Sequence, residues 1–365
     1  MAPLLLTPGP LTTSPAVRVA MQQDYGSRDP AFIEMTARVR RRLEALAPTP
    51  AEFTAIPLQG SGTFAVEAML GTLVPRAGGV AVLVNGVYGQ RAAEALARMG
   101  RHFRAFVAEE GEDPNLDALA AGLRADPRLT HVFTVHSETT TGQLLPLAAI
   151  SRATAASGRR LLVDAMSSLG AVSLDGVVAD GIASSANKCL EGVPGLAFVL
   201  ARSAAIAAAS GVSPSLSLDL HAQWARLEKD GQFRFTPPTH VLAALDVALD
   251  LHHQEGGVAG RGGRYAENMR RLLAGLTTLG FTPLLAAHRQ GPIIATFHEP
   301  TAPGWSFPAF YQFLRDRGFA IYPGSLALVP SFRVGCIGQV FPADIDRFVA
   351  VVTAWTTEGG CSFTR

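Results

Sequence analysis

The chain has 365 residues, of which 48% are hydrophobic and 17% are charged, and its formal net charge is +1. This length and composition allow a sizeable buried core and are typical of a large domain joined to a smaller one. The nearly neutral balance excludes a strong electrostatic attraction to nucleic acid or to an anionic membrane.

The first 240 residues alternate between short apolar or β-branched runs and longer helical patterns. We predict strands at 80–84, 131–136, 161–164, 181–184 and 196–200, and helices at 63–73, 90–99, 116–125 and 147–157. This alternation predicts an α/β fold with a mostly parallel sheet flanked by helices on both faces. In such a sheet, ligands bind beyond the carboxyl ends of the strands.

The C-terminal third has a different pattern. Helices are predicted at 239–254, 261–279, 307–317 and 342–357, with short strands at 293–298, 320–322 and 332–336. We therefore predict a large domain over 16–250 and a smaller α+β domain over 251–365. Residues 1–15 are expected to pack against the smaller domain, because TPGPLTTSP is too rich in turn formers to begin a sheet.

Localisation signals and cysteines point to the cytoplasm. The opening MAPLLLTPGP has no basic region, so no signal peptide is expected, and no segment approaches the ~20 apolar residues of a membrane span. Cys189, Cys336 and Cys361 fit neither a disulfide framework nor a CxxC metal site. A reducing compartment and no metal are the expectation.

Two residues of opposite charge are predicted to face one crevice. Asp164 ends the run LLVD, and Lys188 follows in SSANK, just after another predicted strand. Pyridoxal phosphate needs this pair: a lysine amine that joins the cofactor, and a carboxylate that holds the pyridinium proton. Alone, Asp164 could be a cap or a metal ligand and Lys188 a surface residue, but the pair favours the cofactor.

A glycine-flanked turn, Gly60–Ser61–Gly62–Thr63, stands immediately before a predicted apolar helix. Its free N–H groups and the positive end of the helix dipole suit a phosphate. Serine and threonine in this position are also ordinary helix caps. The motif is neither GxGxxG nor GxxxxGK[ST], so a nucleotide site is not predicted.

Three further segments carry residues suited to such a site. Tyr88 follows a predicted strand and could lie flat on a heteroaromatic ring, or it is an ordinary loop aromatic. The hydroxyls of HSETTTG at 136–142 could bond a ring oxygen or cap a turn. Arg333 lies between apolar neighbours, so it either pairs with an internal acid or binds a substrate carboxylate.

Taken together, these segments resemble the fold type I, class V aminotransferase family, and within it the members that act on an aminophosphonate and pyruvate. The resemblance spans essentially the whole chain. It implies a large domain with a mostly parallel, seven-stranded-type sheet, pyridoxal 5'-phosphate as cofactor, a role in phosphonate catabolism, and a cytoplasmic homodimer with active sites at the subunit interface. It is carried by LLLTPGPLTTS, GSRD at 26–29, VDAMSSLG around Asp164, SSANKCLEGVPG around Lys188, RFTPPTH at 234–240 and FRVGCIG at 332–338.

The resemblance also implies a role for each matched residue. Lys188 would form the Schiff base, Asp164 would partner the pyridine nitrogen, and Tyr88 would stack on the ring. Separately from the resemblance, a tetrahedral donor anion suits hydroxyls and a cation, so we assign it to Thr12, Thr13 and Arg28, whose alternative roles are turn-capping hydroxyls and a surface arginine. The remaining roles fall to Ser61, Gly62 and Thr63 around the phosphate, Thr139 at the ring hydroxyl, Thr236 at the phosphate of the neighbouring subunit's cofactor, and Arg333 at the carboxylate of pyruvate or alanine.

Several alternatives stay open. An alanine–glyoxylate or serine–pyruvate aminotransferase would share every cofactor residue, and an aminophosphonate lyase would share the fold. A class V desulfurase would need a mobile cysteine, which neither Cys336, in a predicted strand, nor Cys189, beside the lysine, supplies well. A catalytically silent binding scaffold and a nucleotide-binding enzyme are further alternatives from other classes.

Overall fold

The computed structural model describes residues 2–324, 326 and 329–358. The strands in chain order are β1 (Leu4–Leu5), β2 (Phe53–Gln59), β3 (Gly79–Val84), β4 (His102–Val107), β5 (Leu129–Val135), β6 (Ser137–Glu138), β7 (Gln143–Leu144), β8 (Arg160–Asp164), β9 (Gly181–Ser185), β10 (Leu196–Arg202), β11 (Ile294–His298), β12 (Phe319–Ala320), β13 (Tyr322–Pro323) and β14 (Ser331–Gly335). The helices are α1 (Pro15–Val19), α2 (Pro30–Glu44), α3 (Gly62–Leu73), α4 (Val87–Arg98), α5 (Leu116–Ala125), α6 (Leu147–Ala156), α7 (Ser203–Ala207), α8 (Leu220–Asp230), α9 (Thr239–Gln254), α10 (Gly257–Thr278), α11 (Phe307–Asp316) and α12 (Pro342–Thr357).

A seven-stranded sheet forms the centre of the fold, in the order β2-β10-β9-β8-β5-β3-β4. Strand β10 runs antiparallel to both of its neighbours, and the pairs from β9 to β4 are parallel. The prediction of a mostly parallel sheet is therefore confirmed. The carboxyl ends of β3, β5, β8 and β9 consequently meet along one edge of the sheet.

The two edge strands of this sheet, β2 and β4, were not predicted. In β4, partly exposed and polar residues interrupt the apolar pattern, because the strand lies at an edge. In β2, Pro57 breaks the run, and a proline is tolerated there because one side of an edge strand needs no N–H donor.

Helices cover both faces of the sheet, and each face has its own apolar cluster. Along β3, Val80 and Val82 pack with Met69 of α3 on one face. Ala81 and Leu83 pack on the opposite face, in the cluster that also contains residues of α2 and α9. All four β3 residues are fully buried. Burial on both faces explains the continuous apolar runs of the parallel strands.

A second, antiparallel sheet in the order β11-β14-β13 forms the centre of the C-terminal part. It packs with α10, α11 and α12 around an aromatic cluster that includes Phe281, Phe297 and Phe332. Strand β1 pairs in parallel with β12, so the N-terminal residues join this part of the chain. The division at residue 250 stays a prediction.

Two boundaries in this part differ from those predicted. The strand predicted at 320–322 is two short strands, β12 and β13, separated at Ile321. Helix α10 begins at Gly257, four residues before the predicted start at 261, through a glycine-rich turn. A Cβ on Gly262 would lie 2.2 Å from the Ala171 carbonyl oxygen, so glycine permits this close approach. Within the described residues, no helix has the length and apolar character of a membrane span.

Candidate active site

A cavity of about 460 Å³ opens at the carboxyl edge of the central sheet. Its position agrees with the expectation that ligands bind beyond the strand ends in a parallel sheet. It is lined by six of the predicted cofactor residues, Ser61, Gly62, Thr63, Tyr88, Asp164 and Lys188. Residues from distant parts of the sequence thus share one pocket.

Lys188 lies in the turn between β9 and β10. Its Nζ donates hydrogen bonds to the backbone carbonyls of Pro8 at 2.7 Å and Gly9 at 3.3 Å. Desolvation of the amine lowers the pKa of Lys188 to about 8, although the negative charge of Asp164 acts in the opposite direction. A lysine with this pKa has a substantial neutral, nucleophilic fraction near neutral pH.

Asp164 is the last residue of β8 and is buried. Its Oδ1 accepts a hydrogen bond from the Met166 N–H at 2.9 Å, and its carbonyl accepts one from the His136 N–H at 2.8 Å. Desolvation, with a further contribution from the negative charge of Glu138, raises the pKa of Asp164 to about 6. A buried carboxylate of this kind is stabilised by a cationic N–H donor in the cavity, which a protonated pyridine ring would supply.

The turn at residues 60–63 leads directly into a helix, as the sequence predicts. Helix α3 begins at Gly62, and the Ser61 side chain makes no capping hydrogen bond to the described residues. A Cβ on Gly60 would lie 2.7 Å from the Phe64 ring, and one on Gly62 would lie 2.4 Å from the Met166 sulfur. The two glycines therefore keep the helix N-terminus accessible to an anion.

Two buried hydroxyls in the lining of the same cavity provide an independent test of whether the cavity suits a polar ligand. Ser137 Oγ and Ser185 Oγ have no hydrogen-bond partner among the described residues, and both residues line the cavity. Buried polar atoms are normally paired, so these oxygens are suited to a polar ligand. Both were missed as individual site residues, although they lie within the HSETTTG and SSANK motifs.

Tyr88 is the second residue of α4 and is held from two sides. Its hydroxyl accepts a hydrogen bond from Thr139 Oγ1 at 3.3 Å, and the Arg91 guanidinium lies 5.0 Å from its ring centroid. The buried Glu138 carboxylate accepts hydrogen bonds from the N–H groups of Tyr88 at 3.3 Å and Thr140 at 3.0 Å. Thr139 contacts Tyr88 and is not among the described residues that line the cavity.

Arg333 extends from β14 toward the same region. Its Nε donates to the Pro323 carbonyl at 3.0 Å and its Nη1 to the Thr139 carbonyl at 3.1 Å. Burial lowers the pKa of Arg333. Among the described residues, the hydrogen-bond acceptors of Arg333 are these two carbonyls and no carboxylate, and its role at a substrate carboxylate stays a prediction.

Besides Thr139 and Arg333, four predicted residues do not line this cavity in the described chain. The Thr12 and Thr13 hydroxyls accept hydrogen bonds from the Leu5 N–H at 3.0 Å and from Arg18 at 3.2 Å. Arg28 is exposed in the turn before α2, and Thr236 is exposed in the loop between α8 and α9. Their roles stay predictions.

The turn that carries Lys188 is fixed by a buried polar network that was not predicted. Glu191, a non-glycine residue with φ of 58°, accepts hydrogen bonds from Arg264 at 2.7 Å, Tyr265 at 2.6 Å and Gln339 at 2.6 Å. Arg261 donates to the Cys189 carbonyl at 2.6 Å. No local pattern indicates these contacts, because the partners are more than seventy residues apart.

Two of the three cysteines lie in the part of the chain that the structure describes. Cys189 and Cys336 are buried and unpaired, and Cys361 lies outside the described residues. Burial raises the pKa of Cys189 to about 12 and raises that of Cys336 further, so neither thiol suits desulfurase chemistry. Among the described residues, no cluster of histidine, cysteine or acidic side chains could hold a metal ion.

Comparisons with known proteins place the whole chain in one group. A family model described as "Aminotransferase class-V" matches residues 28–339. A Rhizobium meliloti (strain 1021) protein named 2-aminoethylphosphonate–pyruvate transaminase is 51% identical over 351 residues, covering 95% of this chain and 92% of the relative. A Pseudomonas aeruginosa (strain UCBPP-PA14) protein of the same name is 50% identical over 353 residues, covering 96% and 95%.

Solved structures give the same fold. Ureidoglycine-glyoxylate aminotransferase from Bacillus subtilis is similar with a TM-score of 0.90 and 22% identity, covering 100% of this chain and 95% of that chain. Alanine–glyoxylate aminotransferase from Nostoc sp. is similar with a TM-score of 0.89 and 27% identity, covering 97% and 95%. The first likeness, at its low identity, shows the fold alone.

Proposed function

The chain belongs to the class-V aminotransferase family, and from this premise we propose that it transfers the amino group of 2-aminoethylphosphonate to pyruvate, giving phosphonoacetaldehyde and L-alanine in phosphonate catabolism. The enzyme depends on pyridoxal 5'-phosphate. The observation that carries the proposal is that Lys188 and Asp164 face one cavity, next to a helix N-terminus suited to phosphate. The relatives named for this reaction, about half identical over nearly the full length, supply the substrate pair.

The residues of the cavity fit the cofactor. When bound, pyridoxal phosphate supplies an aldehyde that joins to amines and a ring that withdraws electrons from the attached carbon. Lys188 would hold the aldehyde end, and Asp164 would keep the ring nitrogen protonated. Ser61, Gly62 and Thr63 would bind the phosphate, and Tyr88 would pack on the ring.

Lys188 would have two tasks: it would hold the cofactor aldehyde, and it would move a proton once a substrate amine has taken its place. Its neutral amine would then accept the proton from the substrate carbon and donate it again from the same position. The lowered pKa of Lys188 suits a group that must accept and donate a proton near neutral pH. Positioned acid–base groups of this kind contribute about 10²- to 10⁴-fold to a rate.

The two substrates bring different anions. Arg333, which has no acidic partner among the described residues, binds the planar carboxylate of pyruvate through its guanidinium fork. The tetrahedral phosphonate needs hydroxyls, N–H groups and a cation, for which Thr12, Thr13 and Arg28 remain our assignments. Thr139 is assigned to the ring hydroxyl.

The proposed assembly is a homodimer with active sites at the subunit interface. Thr236 is exposed and does not line the cavity of its own chain, which supports a role at the neighbouring subunit's phosphate. Phe235 precedes Thr236 in the sequence, and Phe64 follows Thr63. Their side chains are 51% and 47% exposed, as expected for apolar residues that a partner subunit covers. The unpaired Cys189 and Cys336 support a cytoplasmic location.

Half-reactions measured one donor at a time test the substrate assignment. We expect 2-aminoethylphosphonate to convert the bound cofactor to its amine form much faster than serine does. Pyruvate should then restore the aldehyde form of the cofactor, and no ammonia should be released. Faster conversion by serine, with glyoxylate as the better acceptor, would instead identify an alanine–glyoxylate or serine–pyruvate aminotransferase. Release of ammonia or phosphate without pyruvate would identify a lyase.

A further inference from the structure

The amine of Lys188 is held by the N-terminal segment of the chain. Its Nζ lies 2.7 Å from the Pro8 carbonyl oxygen and 3.3 Å from that of Gly9. Within the described residues, these two backbone oxygens are the acceptors of the amine. Pro8, which lies 180 positions before Lys188 in the sequence, thus contacts the amine that the proposed function places at the centre of the chemistry.

Gly9 approaches the lysine more closely than any other residue type would allow. Its φ is +104°, in the region that favours glycine. A Cβ at this position would lie 2.7 Å from the Asn187 carbonyl oxygen, 2.8 Å from Lys188 Cδ and 3.1 Å from Lys188 Nζ. The backbone at Gly9 therefore forms one wall of the space that the lysine side chain occupies.

The same segment is fastened to the strand that carries Arg333. The Leu6 N–H donates to the Ala320 carbonyl at 2.9 Å, and the Leu6 carbonyl accepts from the Gly335 N–H at 2.9 Å. A Cβ on Gly335 would lie 2.4 Å from the Thr7 carbonyl oxygen, so glycine is needed there too. The segment consequently links the strand of Arg333 to the amine of Lys188.

We propose that residues 4–12, here termed the N-terminal strap, are a positioning element of the active site, in which the Pro8 and Gly9 carbonyls take up the Lys188 amine whenever it is free of the cofactor. This inference rests on the proposed function. The two carbonyls stabilise the protonated amine and restrict the rotamers of a long side chain, so the proton is carried at a defined position. Because the strap is bonded to the strand of Arg333, the amine and the carboxylate site keep a fixed relation.

The chain offers a clean measurement of this contact, since it contains two lysines, Lys188 and Lys229. Lys229 is exposed on α8 and serves as an internal reference. The full chain, freed of cofactor, is labelled with trace acetic anhydride from pH 6 to pH 11, and the two lysine peptides are quantified by mass spectrometry. The titratable and charged groups that act on Lys188 are Asp164, Cys189 and Arg333, which all variants retain.

We expect Gly9→Ala to lower the apparent pKa of Lys188 by about one unit, because the charged amine loses carbonyl acceptors and gains an apolar neighbour. Gly158→Ala is the matched control, since Gly158 also has positive φ, +64°, and a Cβ there would meet nothing within 4 Å. The control is expected to match the unaltered protein. An unchanged Lys188 titration in folded Gly9→Ala protein would overturn the proposal.

If the Gly9→Ala variant does not fold, an NMR measurement on the unaltered protein tests the proposal instead. Nuclear Overhauser contacts between the Lys188 Cε protons and the Gly9 Cα protons are expected in the cofactor-free chain, and their absence would overturn the proposal. A failure of the proposed function would be recognised by a different result. The chain would then bind no pyridoxal phosphate at Lys188, whatever the acetylation of the cofactor-free protein shows.

Discussion

Arg333 donates a hydrogen bond from Nη1 to the Thr139 carbonyl oxygen at 3.1 Å, which joins a strand of the C-terminal sheet to the loop that follows β5. The Thr139 hydroxyl in turn contacts Tyr88, on the wall of the cavity. The arginine is therefore held beside the cavity by a neutral carbonyl, and in the proposed function its charge serves an anionic substrate.

Replacing Arg333 by lysine should impair the half-reaction with the acceptor, pyruvate, more than the half-reaction with the donor, 2-aminoethylphosphonate. Lysine keeps the charge but loses the planar fork that holds a carboxylate, so we expect the KM for pyruvate to rise by about 10- to 100-fold. The half-reaction with 2-aminoethylphosphonate should change by less than about threefold, because the phosphonate is bound elsewhere. Stopped-flow spectra of each half-reaction separate the two effects.

Arg317→Lys, at an exposed position, is the control for the loss of a guanidinium and should leave both half-reactions unchanged. An unaltered KM for pyruvate in Arg333→Lys protein would show that the carboxylate binds at another residue.

Replacing Asp164 by asparagine should separate stability from activity. Burial raises the pKa of Asp164 from 3.8 to about 6, so the cofactor-free protein loses stability as pH rises from about 4 to about 6, where the unfolded chain releases a proton that the folded protein keeps. Since one pKa unit corresponds to about 1.4 kcal/mol, asparagine should be favoured by roughly 2 kcal/mol above pH 7 relative to pH 4, where the unfolded carboxyl is already partly ionised. Urea unfolding of the cofactor-free forms at several pH values measures this difference.

Transamination by the same variant should fall by at least about 10³-fold, because a neutral amide does not hold the ring-nitrogen proton. A stability difference that is flat with pH would contradict the raised pKa, and retained activity would contradict the pairing with the ring nitrogen.

The rate at which the cofactor-free protein takes up pyridoxal phosphate should depend on the protonation of Lys188. The neutral amine is the reactive form, so the rate should rise about tenfold per pH unit and level off above about pH 8, where Lys188 is largely deprotonated. Appearance of the yellow absorption band in a stopped-flow instrument follows the reaction. Lys229→Ala should behave like the unaltered protein, whereas Lys188→Ala should stay colourless.

Ser185→Ala should weaken cofactor binding without destabilising the empty protein. The Ser185 hydroxyl is buried and has no partner among the described residues, so its removal costs the cofactor-free fold little or stabilises it. A hydrogen bond from this hydroxyl to the anionic cofactor would contribute about 1.5–3 kcal/mol, so the Kd for pyridoxal phosphate should rise by about 10- to 100-fold. Equilibrium dialysis and thermal unfolding test the two parts, with the exposed Ser210→Ala as control.

Much of the central sheet was predictable because buried parallel strands have continuous apolar runs, as β3, β5 and β8 do. Strands β2 and β4 were missed because edge positions tolerate Pro57 and polar residues. In the site, Asp164 was recognisable as the end of a predicted strand and Lys188 from its place just after another. Local sequence gave no such sign for contacts between distant segments.

The clearest examples of such contacts surround Lys188. Its bonds to Pro8 and Gly9 span 180 and 179 positions, and the bond from Arg264 to Glu191 spans 73. Backbone acceptors leave no residue-type signature, since any residue has a carbonyl. Only the requirement for glycine at Gly9 is specific, and TPGP was explained equally well as a turn.

Borohydride trapping, with and without donor, tests the central claim most directly. The yellow protein is reduced, digested and mapped by mass spectrometry, and the chain offers only Lys188 and Lys229 as attachment sites among its side chains. We predict that the pyridoxyl label lies on Lys188 and disappears when 2-aminoethylphosphonate is added before reduction. A label on Lys229, or a label on Lys188 that the donor leaves in place, would contradict the account.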